Sequence, residues 1–254
     1  MTLPRTPSFR LDGRRAVVAG ASSGIGVGAA AALAGAGAEV TLVARSATRL
    51  HDLAGEMAAM GWAARPLVLD VTDAAATAAA IALHGPFDIL VNSAGLARHA
   101  PALDTTEADY DAVTDLNVRA AYFLTRAVAK GLIAAGRPGS LINVSSQMGR
   151  VAGPDRAVYA STKHAVEGFT KAMAIEWGPH GIRVNCVAPT FVNTPLAQQT
   201  LTNPERHAWV MSKIRLGRLA EVEDLMGAFV LLASDAGAMI TGTSLLVDGG
   251  WTAG

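Results

Sequence analysis

A tyrosine and a lysine lie four residues apart, at Tyr159 and Lys163, and Ser146 precedes the tyrosine by thirteen residues. On a helix, residues i and i+4 lie on one face, one turn apart. The positive charge of the lysine favours phenolate, so we expect it to lower the pKa of Tyr159 from its reference of roughly 10 towards neutrality. Such a tyrosine can exchange a proton with a substrate while the serine hydroxyl holds the reacting oxygen. Taken alone, this spacing also fits a half-buried tyrosine beside a solvated lysine.

A glycine-rich turn near the start of the chain gives this pair a context. Residues 16–20 form an apolar run typical of a buried strand, and residues 21–26 lead into an alanine-rich stretch. The glycines at 20, 24 and 26 let the backbone turn sharply and approach a ligand closely. The helix that follows offers free N–H groups and a positive dipole end to a pyrophosphate. The order of strand, turn and helix predicts a dinucleotide site, with a mere connecting turn as the alternative.

Composition excludes several classes of function. The 254 residues are 51% hydrophobic and 17% charged, which predicts a well-filled core and buried oligomer surfaces. With 21 basic and 21 acidic residues and no basic cluster, binding to nucleic acid or to a membrane surface is not expected. The single cysteine, Cys186, excludes an internal disulfide framework and lies in an apolar run, where we expect a buried thiol. Residues 1–10 contain no apolar stretch of a secretory signal, so we expect a cytoplasmic protein.

Strand-like and helix-like segments alternate along the whole chain. The strand candidates cover residues 15–20, 39–44, 64–69, 86–91, 140–145, 182–188 and 243–247. This rhythm predicts an α/β fold, a doubly wound parallel sheet with helices on both faces. No repeat, low-complexity tract or linker divides the chain, so we predict a single domain over residues 1–254.

Seven motifs are spread over almost the entire chain. They are GASSGIG at 20–26, NSAG at 92–95, Asn117, Ser145 with Ser146, YxxxK at 159–163, PTFVNT at 189–194 and DGG at 248–250. In order and spacing they resemble the motifs of the short-chain dehydrogenases/reductases, over about residues 13–251. The resemblance implies a single Rossmann-type domain with a seven-stranded sheet, and an NAD(P)-dependent oxidoreductase that acts on CH–OH groups.

The resemblance also implies four catalytic roles. Tyr159 would be the general acid/base, and Lys163 would lower its pKa and bind the nicotinamide ribose. Ser146 would orient the substrate oxygen, with Ser145 as the weaker candidate. Asn117, in a helix around residues 106–135, would hold a water of a proton relay through its backbone.

The residues implied to contact the cofactor fall into four groups. Those of the turn would wrap the pyrophosphate and adenosine: Gly20, Ser22, Ser23, Gly24, Ile25 and Gly26. Those after the third strand would meet the adenine: Asp70 and Val71. Those at the fourth strand would flank the cofactor: Asn92, Ala94 and Gly95. Those after the sixth strand would contact the carboxamide region: Pro189, Val192 and Thr194.

Three positions depart from the pattern of the family. Ala19 stands where a threonine is usual, Ser93 replaces the second asparagine of NNAG, and Thr190 replaces a glycine after Pro189. All three are expected beside the cofactor. Because none of them removes a catalytic group, we expect them to tune the loops without abolishing activity.

The residues after the second strand indicate which dinucleotide is used. An acidic residue at the strand end would bind the ribose 2′-hydroxyl and repel a 2′-phosphate, but this position is Ala44 and Arg45 follows. Because a guanidinium suits a phosphate dianion, we predict a preference for NADP(H). A solvated Arg45 is the alternative, which leaves NAD(H) open, and Ser23 stands where many NADP-binding relatives have a basic residue.

The family resemblance places a substrate lid at about residues 190–216. Pocket candidates are Leu96, Gln147, Met148, Gly153, Leu196 and Trp209. The alternative for the lid side chains is packing of lid helices. No fixed cationic clamp for a carboxylate is evident. The six histidines show no metal-ligand spacing and are interpreted as surface or loop residues, so no metal is expected: His51, His84, His99, His164, His180 and His207.

A stripe of small residues bears on assembly. Ser161, Ala165, Gly168 and Ala172 recur on the face of the helix opposite Tyr159. Members of the family use this helix in dimer contacts, so we predict a homotetramer, or at least a dimer. Packing within one subunit is the alternative.

Three other functions compete with an NADP(H)-dependent oxidoreductase acting on a polyol, a sugar-derived carbonyl or a small cyclic ketone. One is an NAD-dependent alcohol dehydrogenase. Another is a 3-oxoacyl thioester reductase, for which Arg126, Lys130 and Arg137 could contribute to a carrier-protein docking patch. A third is a non-catalytic nucleotide sensor on the same fold, against which the intact catalytic residues argue.

Overall fold

A parallel β-sheet forms the centre of the protein in a computed structural model that describes residues 3–254. Within these residues the sheet has seven strands in the order β3-β2-β1-β4-β5-β6-β7, and all neighbours run parallel. The strands are β1 (Arg15–Ala19), β2 (Glu39–Ala44), β3 (Ala64–Val68), β4 (Ile89–Asn92), β5 (Gly139–Val144), β6 (Ile182–Pro189) and β7 (Ser244–Val247). The predicted doubly wound α/β fold with seven strands is confirmed.

Helices cover both faces of this sheet. In chain order they are α1 (Gly24–Gly35), α2 (Ala47–Ala59), α3 (Ala74–His84), α4 (Glu107–Thr114), α5 (Ala121–Ala134), α6 (Ala157–Trp177), α7 (Pro195–Leu201), α8 (Pro204–Lys213) and α9 (Glu223–Ala233). None of the helices in residues 3–254 combines the length and apolarity needed to cross a bilayer.

The fourth strand starts later than its sequence pattern predicts, at Ile89 instead of residue 86. Asp88, directly before it, is buried and uses its carboxylate as a fixed acceptor. One oxygen accepts a hydrogen bond from the Arg15 backbone N–H at 2.9 Å, and the other accepts from the Arg137 guanidinium at 2.6 Å. Pro86 lacks a backbone N–H and cannot donate to a ladder. Side-chain bonds therefore anchor this segment before the regular strand begins.

Two apolar cores lie on opposite faces of the sheet. On one face, α1 packs over β1 and β2 and against α9, which packs over β5, β6 and β7. This core includes Leu33, Leu42 and Phe229. On the other face, α5 packs over β4 and β5 through residues such as Leu124 and Leu141. The five central strands, from β2 to β6 in the sheet order, are buried from both sides, which explains why their sequences are continuous apolar runs.

Cys186 lies fully buried in β6, as its apolar surroundings predict. Burial raises the pKa of this thiol to about 12, since a thiolate would be poorly solvated there. The Thr170 hydroxyl lies 3.3 Å from the sulfur. A thiol held in this state is a packing residue and not a nucleophile.

The helix predicted around residues 106–135 contains an irregular segment. Helix α4 continues into a π-helical stretch, Asp115–Ala120, before α5 begins at Ala121. Asn117 lies in that stretch and is buried. Short π-helical segments alter which residues face a neighbouring element and frequently occur at functional sites. Here the segment directs Asn117 towards the loop after β4.

The strand order reverses between β1 and β4, and a cleft opens at the carboxyl ends of these strands. Its volume is about 500 Å³. It extends from the turn after β1 to the first turns of α6. In open parallel sheets such a switch point is where ligands bind.

Candidate active site

Tyr159 and Lys163 lie in the first two turns of α6, and both line the cleft. The Lys163 ammonium nitrogen is 5.5 Å from the centre of the Tyr159 ring and donates a 2.8 Å hydrogen bond to the Val144 carbonyl oxygen. Ser146 is the second residue after β5 and also lines the cleft. The fold therefore brings together the three side chains that the sequence predicts to take part in proton transfer.

Ser146 and Ser145 have different surroundings. The Ser146 hydroxyl donates to the Gln147 side-chain oxygen at 2.6 Å and accepts from the Met148 backbone N–H at 3.1 Å. Ser145 instead donates to the buried Glu167 carboxylate at 3.1 Å. Ser145 is thereby committed to a structural bond, whereas Gln147, which lines the cleft, could release the Ser146 hydroxyl to a ligand.

The tyrosine pKa differs from the expectation. Burial raises the pKa of Tyr159, and the Ser146 hydrogen bond and the Arg156 charge act in the opposite direction with smaller effect. Lys163 is itself buried, and burial lowers the pKa of its ammonium to about 8. The expected net lowering of the Tyr159 pKa towards neutrality is therefore wrong. The phenol is protonated at neutral pH because a buried phenolate is poorly solvated.

Asn117 lies behind the cleft wall and does not line it. Its side-chain oxygen accepts from the Leu96 backbone N–H at 2.8 Å. Its amide nitrogen donates to the Leu96 carbonyl at 2.8 Å and to the Thr162 hydroxyl at 3.2 Å. The side chain thus ties the loop after β4 to α6 beside Lys163. The predicted use of its backbone for a water remains a prediction.

The turn after β1 fits a pyrophosphate. Gly20 has a φ of +77°, and a Cβ there would lie 2.7 Å from the Ala94 backbone nitrogen, so a larger residue would collide with the chain. Ser23 is the N-cap of α1 but makes no side-chain capping bond, and the first turn of α1 holds no acidic residue. Its backbone N–H groups therefore remain available to an anion. The predicted turn residues that line the cleft are Gly20, Ser22, Ser23, Gly24 and Ile25.

Two residues predicted to contact the cofactor lie outside the cleft lining. Gly26 is buried, and a Cβ there would collide with the Gly20 carbonyl oxygen, so it serves close packing of α1 on the turn. Asn92 is buried and donates through its amide to the Asn143 side-chain oxygen at 3.2 Å. Its own oxygen accepts from the Ala94 N–H at 3.3 Å. Both residues shape the wall from behind.

The end of the cleft next to β2 and β3 carries the charges expected for an adenosine site. Asp70 and Val71 line it, and Asp70 accepts hydrogen bonds from the Thr72 backbone N–H and hydroxyl, which lower its pKa. Arg45 is 80% exposed, and its guanidinium lies 4.0 Å from the Asp70 carboxylate. A second arginine, Arg49, also lines this end, which the sequence reasoning missed. The sequence signal for Arg49 is its place three residues after Ser46, at the start of the helix that follows β2.

The middle of the cleft is formed by the loops after β4 and β6. The predicted residues lining it are Ala94, Gly95, Pro189, Val192 and Thr194. Thr190, which replaces the glycine usual in the family after Pro189, lines it as well. Within the described residues its hydroxyl is buried without a hydrogen-bond partner. A polar group in that state is suited to a ligand's amide or hydroxyl.

The substrate end contains four of the six predicted pocket residues: Leu96, Gln147, Met148 and Leu196. Gly153 and Trp209 do not line the cleft. A Cβ on Gly153 would lie 2.9 Å from the Trp209 ring, and this ring also packs edge-on against Trp251 at 5.2 Å between centroids. Trp209 therefore packs behind the cleft wall. This agrees with the alternative that lid side chains serve the packing of lid helices.

Besides Arg49, two more cleft residues were not predicted from the sequence. His99, expected as a surface or loop residue, lies in the loop after β4, where it is partly buried and lines the cleft. Arg156 is buried at the N-cap of α6 and also lines the cleft. The position of Arg156 three residues before Tyr159, on the same helical face, is a signal that could have found it. For His99 the sequence offers only its place in a loop at a strand end.

Comparison with known proteins identifies the family. Residues 20–252 match a model of short-chain dehydrogenases/reductases described as enoyl-(acyl carrier protein) reductase. The chain is 44% identical over 245 residues to the D-erythrulose reductase of Gallus gallus, with 96% of this chain and 98% of the relative covered. It is 42% identical over 243 residues to the L-xylulose reductase of Homo sapiens, with 96% and 98% covered.

A solved structure gives the same result. The gluconate 5-dehydrogenase from Burkholderia cenocepacia J2315 in complex with NADP and tartrate superposes with a TM-score of 0.93 at 37% identity. The alignment covers 97% of this chain and 98% of that chain. The protein therefore belongs to the short-chain dehydrogenase/reductase family and is an oxidoreductase that acts on CH–OH groups.

Proposed function

We propose that the protein is an NADP(H)-dependent oxidoreductase that interconverts a sugar-derived secondary alcohol and its ketone. One observation carries the proposal: Tyr159, Lys163 and Ser146 line one end of a cleft whose other end is the glycine turn. A proton-transfer group and an anion-binding turn in one cleft are what a nicotinamide-dependent alcohol oxidation requires. The relatives named above are reductases of sugar-derived ketones and a gluconate dehydrogenase, which supports a sugar-derived substrate.

The proposed proton chemistry follows from the positions of the side chains. Bound NADP(H) supplies or accepts the hydride. Tyr159 donates its phenolic proton to the ketone oxygen in reduction and accepts the hydroxyl proton in oxidation. Ser146 donates a hydrogen bond to the same oxygen as negative charge develops on it. Lys163 places a positive charge near the Tyr159 ring, which stabilises the phenolate formed in reduction.

Asn117 is assigned a supporting part in this proposal. Its two bonds to Leu96 and its bond to Thr162 hold the β4 loop against α6. That arrangement fixes the distance between the two walls of the cleft at the level of Lys163. A catalytic constellation needs its side chains held to within a fraction of an ångström, and buried amide bonds of this kind supply that rigidity.

The choice of NADP(H) rests on Arg45 and Arg49. Both line the end of the cleft beyond β2, and Ala44 leaves no carboxylate at the strand end to repel a 2′-phosphate. Guanidinium groups bind phosphates through charge-assisted hydrogen bonds. The bound NADP of the gluconate 5-dehydrogenase structure supports the same cofactor.

Assembly, lid and location are further parts of the proposal. The stripe of Ser161, Ala165, Gly168 and Ala172 is exposed on α6, which supports a homotetramer built on that helix. Residues 190–216, which include α7 and α8, form the substrate lid, supported by the contribution of Leu196 to the cleft. A cytoplasmic location is supported by the single, buried cysteine. Light scattering on Gly168→Arg tests the assembly, and a wild-type monomer would contradict it.

The test of the function is the change in nicotinamide absorbance over a panel of ketoses, polyols, sugar acids and acyl thioesters. NADPH and NADH are used separately, and Tyr159→Phe is the variant. We expect turnover of a sugar-derived member with NADPH, and a fall of roughly 10²–10⁴-fold in the variant, the usual contribution of a general acid/base. Turnover confined to acyl thioesters would favour the competing reductase. Cofactor binding without turnover of any member would favour the nucleotide sensor.

A further inference from the structure

We propose that Arg156 binds a carboxylate of the substrate, so that the substrate is a sugar acid and not a neutral polyol or ketose. This inference rests on the proposed function and specifies the substrate of the same site. No fixed cationic clamp for a carboxylate is evident in the sequence. The structure supplies one because folding buries Arg156 in the cleft.

The guanidinium of Arg156 is held in a defined orientation. One terminal nitrogen donates to the Pro154 carbonyl at 3.0 Å, and the other donates to the Thr200 hydroxyl at 2.9 Å. The group also lies 5.3 Å from the centre of the Phe191 ring and 5.6 Å from that of Trp209. Two aromatic rings and two neutral acceptors preorganise its N–H groups, so binding a ligand would cost little side-chain entropy.

Within residues 3–254, Arg156 has no carboxylate at salt-bridge distance. Asp155, the adjacent residue, is paired with Arg206 at 2.6 Å. A buried guanidinium is normally compensated by an anion, because burial removes the solvation of its charge. Two neutral acceptors compensate it only in part. The missing anion can reach Arg156 from the cleft, which this side chain lines.

The other charged or titratable groups around Arg156 do not neutralise its charge, since Arg206 and Asp155 pair with each other. Burial lowers the pKa of His99 to about 4, with smaller contributions from the charges of Arg156 and Arg206, so the ring is neutral at physiological pH. Its Nδ1 atom is buried and without a hydrogen-bond partner in the described part of the chain. The surroundings thus combine one uncompensated cation, the internally paired Arg206 and Asp155, and a neutral imidazole free to bond a hydroxyl.

The position of Arg156 separates this site from the phosphates of a dinucleotide. The residue lies one helical turn before Tyr159, where the reacting oxygen is proposed to bind. The arginines proposed for the 2′-phosphate, Arg45 and Arg49, line the opposite end of the cleft beyond β2. A carboxylate at Arg156 therefore belongs to the substrate, a few carbon atoms from its reacting carbon.

The alternative is that Arg156 only fastens α7 to the start of α6 through Thr200. D-Gluconate and D-sorbitol separate the two roles, because they share a six-carbon polyhydroxy skeleton and differ at one end, carboxylate against CH₂OH. Dissociation constants for both are measured by calorimetry on the NADP⁺ complex of a Tyr159→Phe background, which prevents turnover. Specificity constants are then measured with Tyr159 intact.

In the Tyr159→Phe background, we expect gluconate to bind at least about ten-fold more tightly than sorbitol, the usual gain from a charge-assisted bond. Adding Arg156→Met should bring the ratio close to one, and Arg156→Lys should restore part of it. Arg126→Met is the matched control: this exposed arginine of α5 lies outside the cleft and outside the proposed lid, so the ratio should persist.

Equal binding of the two compounds, no binding of gluconate, or an unchanged ratio in Arg156→Met would each overturn the inference. The binding measurement needs no turnover, so it reads the anion site even where the proposed reaction fails. Conversely, efficient turnover of neutral ketoses combined with a gluconate-to-sorbitol ratio near one would retain the proposed function and reject the sugar acid. Arg156→Lys and the comparison without any Arg156 substitution keep the test valid if Arg156→Met does not fold.

Discussion

The imidazole ring of His99 stands edge-on to the ring of Tyr159, with centroids 6.1 Å apart and planes at 77°. This places a histidine from the loop after β4 against the tyrosine proposed to move the proton. The contact is between an uncharged ring and an aromatic face, because burial lowers the pKa of His99 to about 4. His99 is a loop residue, as the sequence interpretation allowed, but it is partly buried and packs against Tyr159.

The burial of His99 should make the stability of the fold sensitive to acid. The pKa of His99 is about 4 in the folded protein against 6.5 in the reference state, so the unfolded chain binds more protons between these values. The free energy of unfolding should therefore fall as the pH is lowered from about 6.5 towards about 4. His99→Gln should flatten the curve in this window, measured by urea unfolding at several pH values. His207→Gln, exposed on α8, is the control, and identical curves for wild type and His99→Gln would refute the expectation.

The two directions of the reaction should respond oppositely to pH. Burial raises the pKa of Tyr159, so the phenol is the dominant form at neutral pH and can act directly as an acid. The specificity constant for ketone reduction should be flat near neutrality and fall as the pH passes the phenol pKa. That for alcohol oxidation should rise with pH over the range from about 7 to about 10.

Tyr110→Phe is the matched control for this profile, because Tyr110 is half exposed on α4 and lies outside the cleft. Its pH profiles should coincide with those of the wild type. An oxidation rate independent of pH across that range would assign the proton to a group other than Tyr159.

Cofactor selectivity should depend on Arg45. Removing its guanidinium in Arg45→Ala should lower the specificity constant for NADPH by roughly ten-fold, the usual loss for one charge-assisted bond to a phosphate, and leave that for NADH nearly unchanged. Arg49→Ala in addition should lower the NADPH value further. Steady-state kinetics with both cofactors provide the measurement, and Arg215→Ala serves as control. An unchanged ratio of the specificity constants for NADPH and NADH in the double variant would show that neither arginine binds the 2′-phosphate.

A buried carboxylate behind Ser146 should contribute to stability. One oxygen of Glu167 accepts hydrogen bonds from Ser145 at 3.1 Å and Ser244 at 2.9 Å, and the other accepts from Arg150 at 3.0 Å. Glu167→Ala leaves two buried hydroxyls and a guanidinium without their acceptor. We expect the free energy of unfolding to fall by about 2–4 kcal/mol.

Glu176→Ala provides the comparison for Glu167, since that residue is exposed on the same helix. Chemical denaturation of both variants gives the two free energies of unfolding. Glu167→Gln, which keeps one acceptor oxygen, should fall between Glu167→Ala and the wild type. Equal stability of the two alanine variants would mean that water replaces the lost carboxylate at no cost.

The fold was largely predictable from the sequence, because hydrophobic periodicity and turn residues are local properties of the chain. Seven apolar runs alternating with helical stretches predict the sheet, and most observed strand ends differ from the predicted ones by at most one residue. The exception is the start of β4, where Asp88 makes bonds to Arg15 and Arg137 that are distant in sequence. Such bonds leave no local pattern, so the boundary could not be read from residues 86–91 alone.

By itself the sequence determined the kinds of groups available: a tyrosine and a lysine one helical turn apart, a serine at a strand end, and glycines where the chain must turn. Tertiary structure alone decided which groups share a cleft and how far each is removed from water. It turned Asn92 and Trp209 away from the cleft, brought His99 to Tyr159, and buried Arg156 without a counter-ion among residues 3–254. The burial of a side chain and the compensation of its charge depend on neighbours from distant parts of the chain. These neighbours come together only when the chain folds.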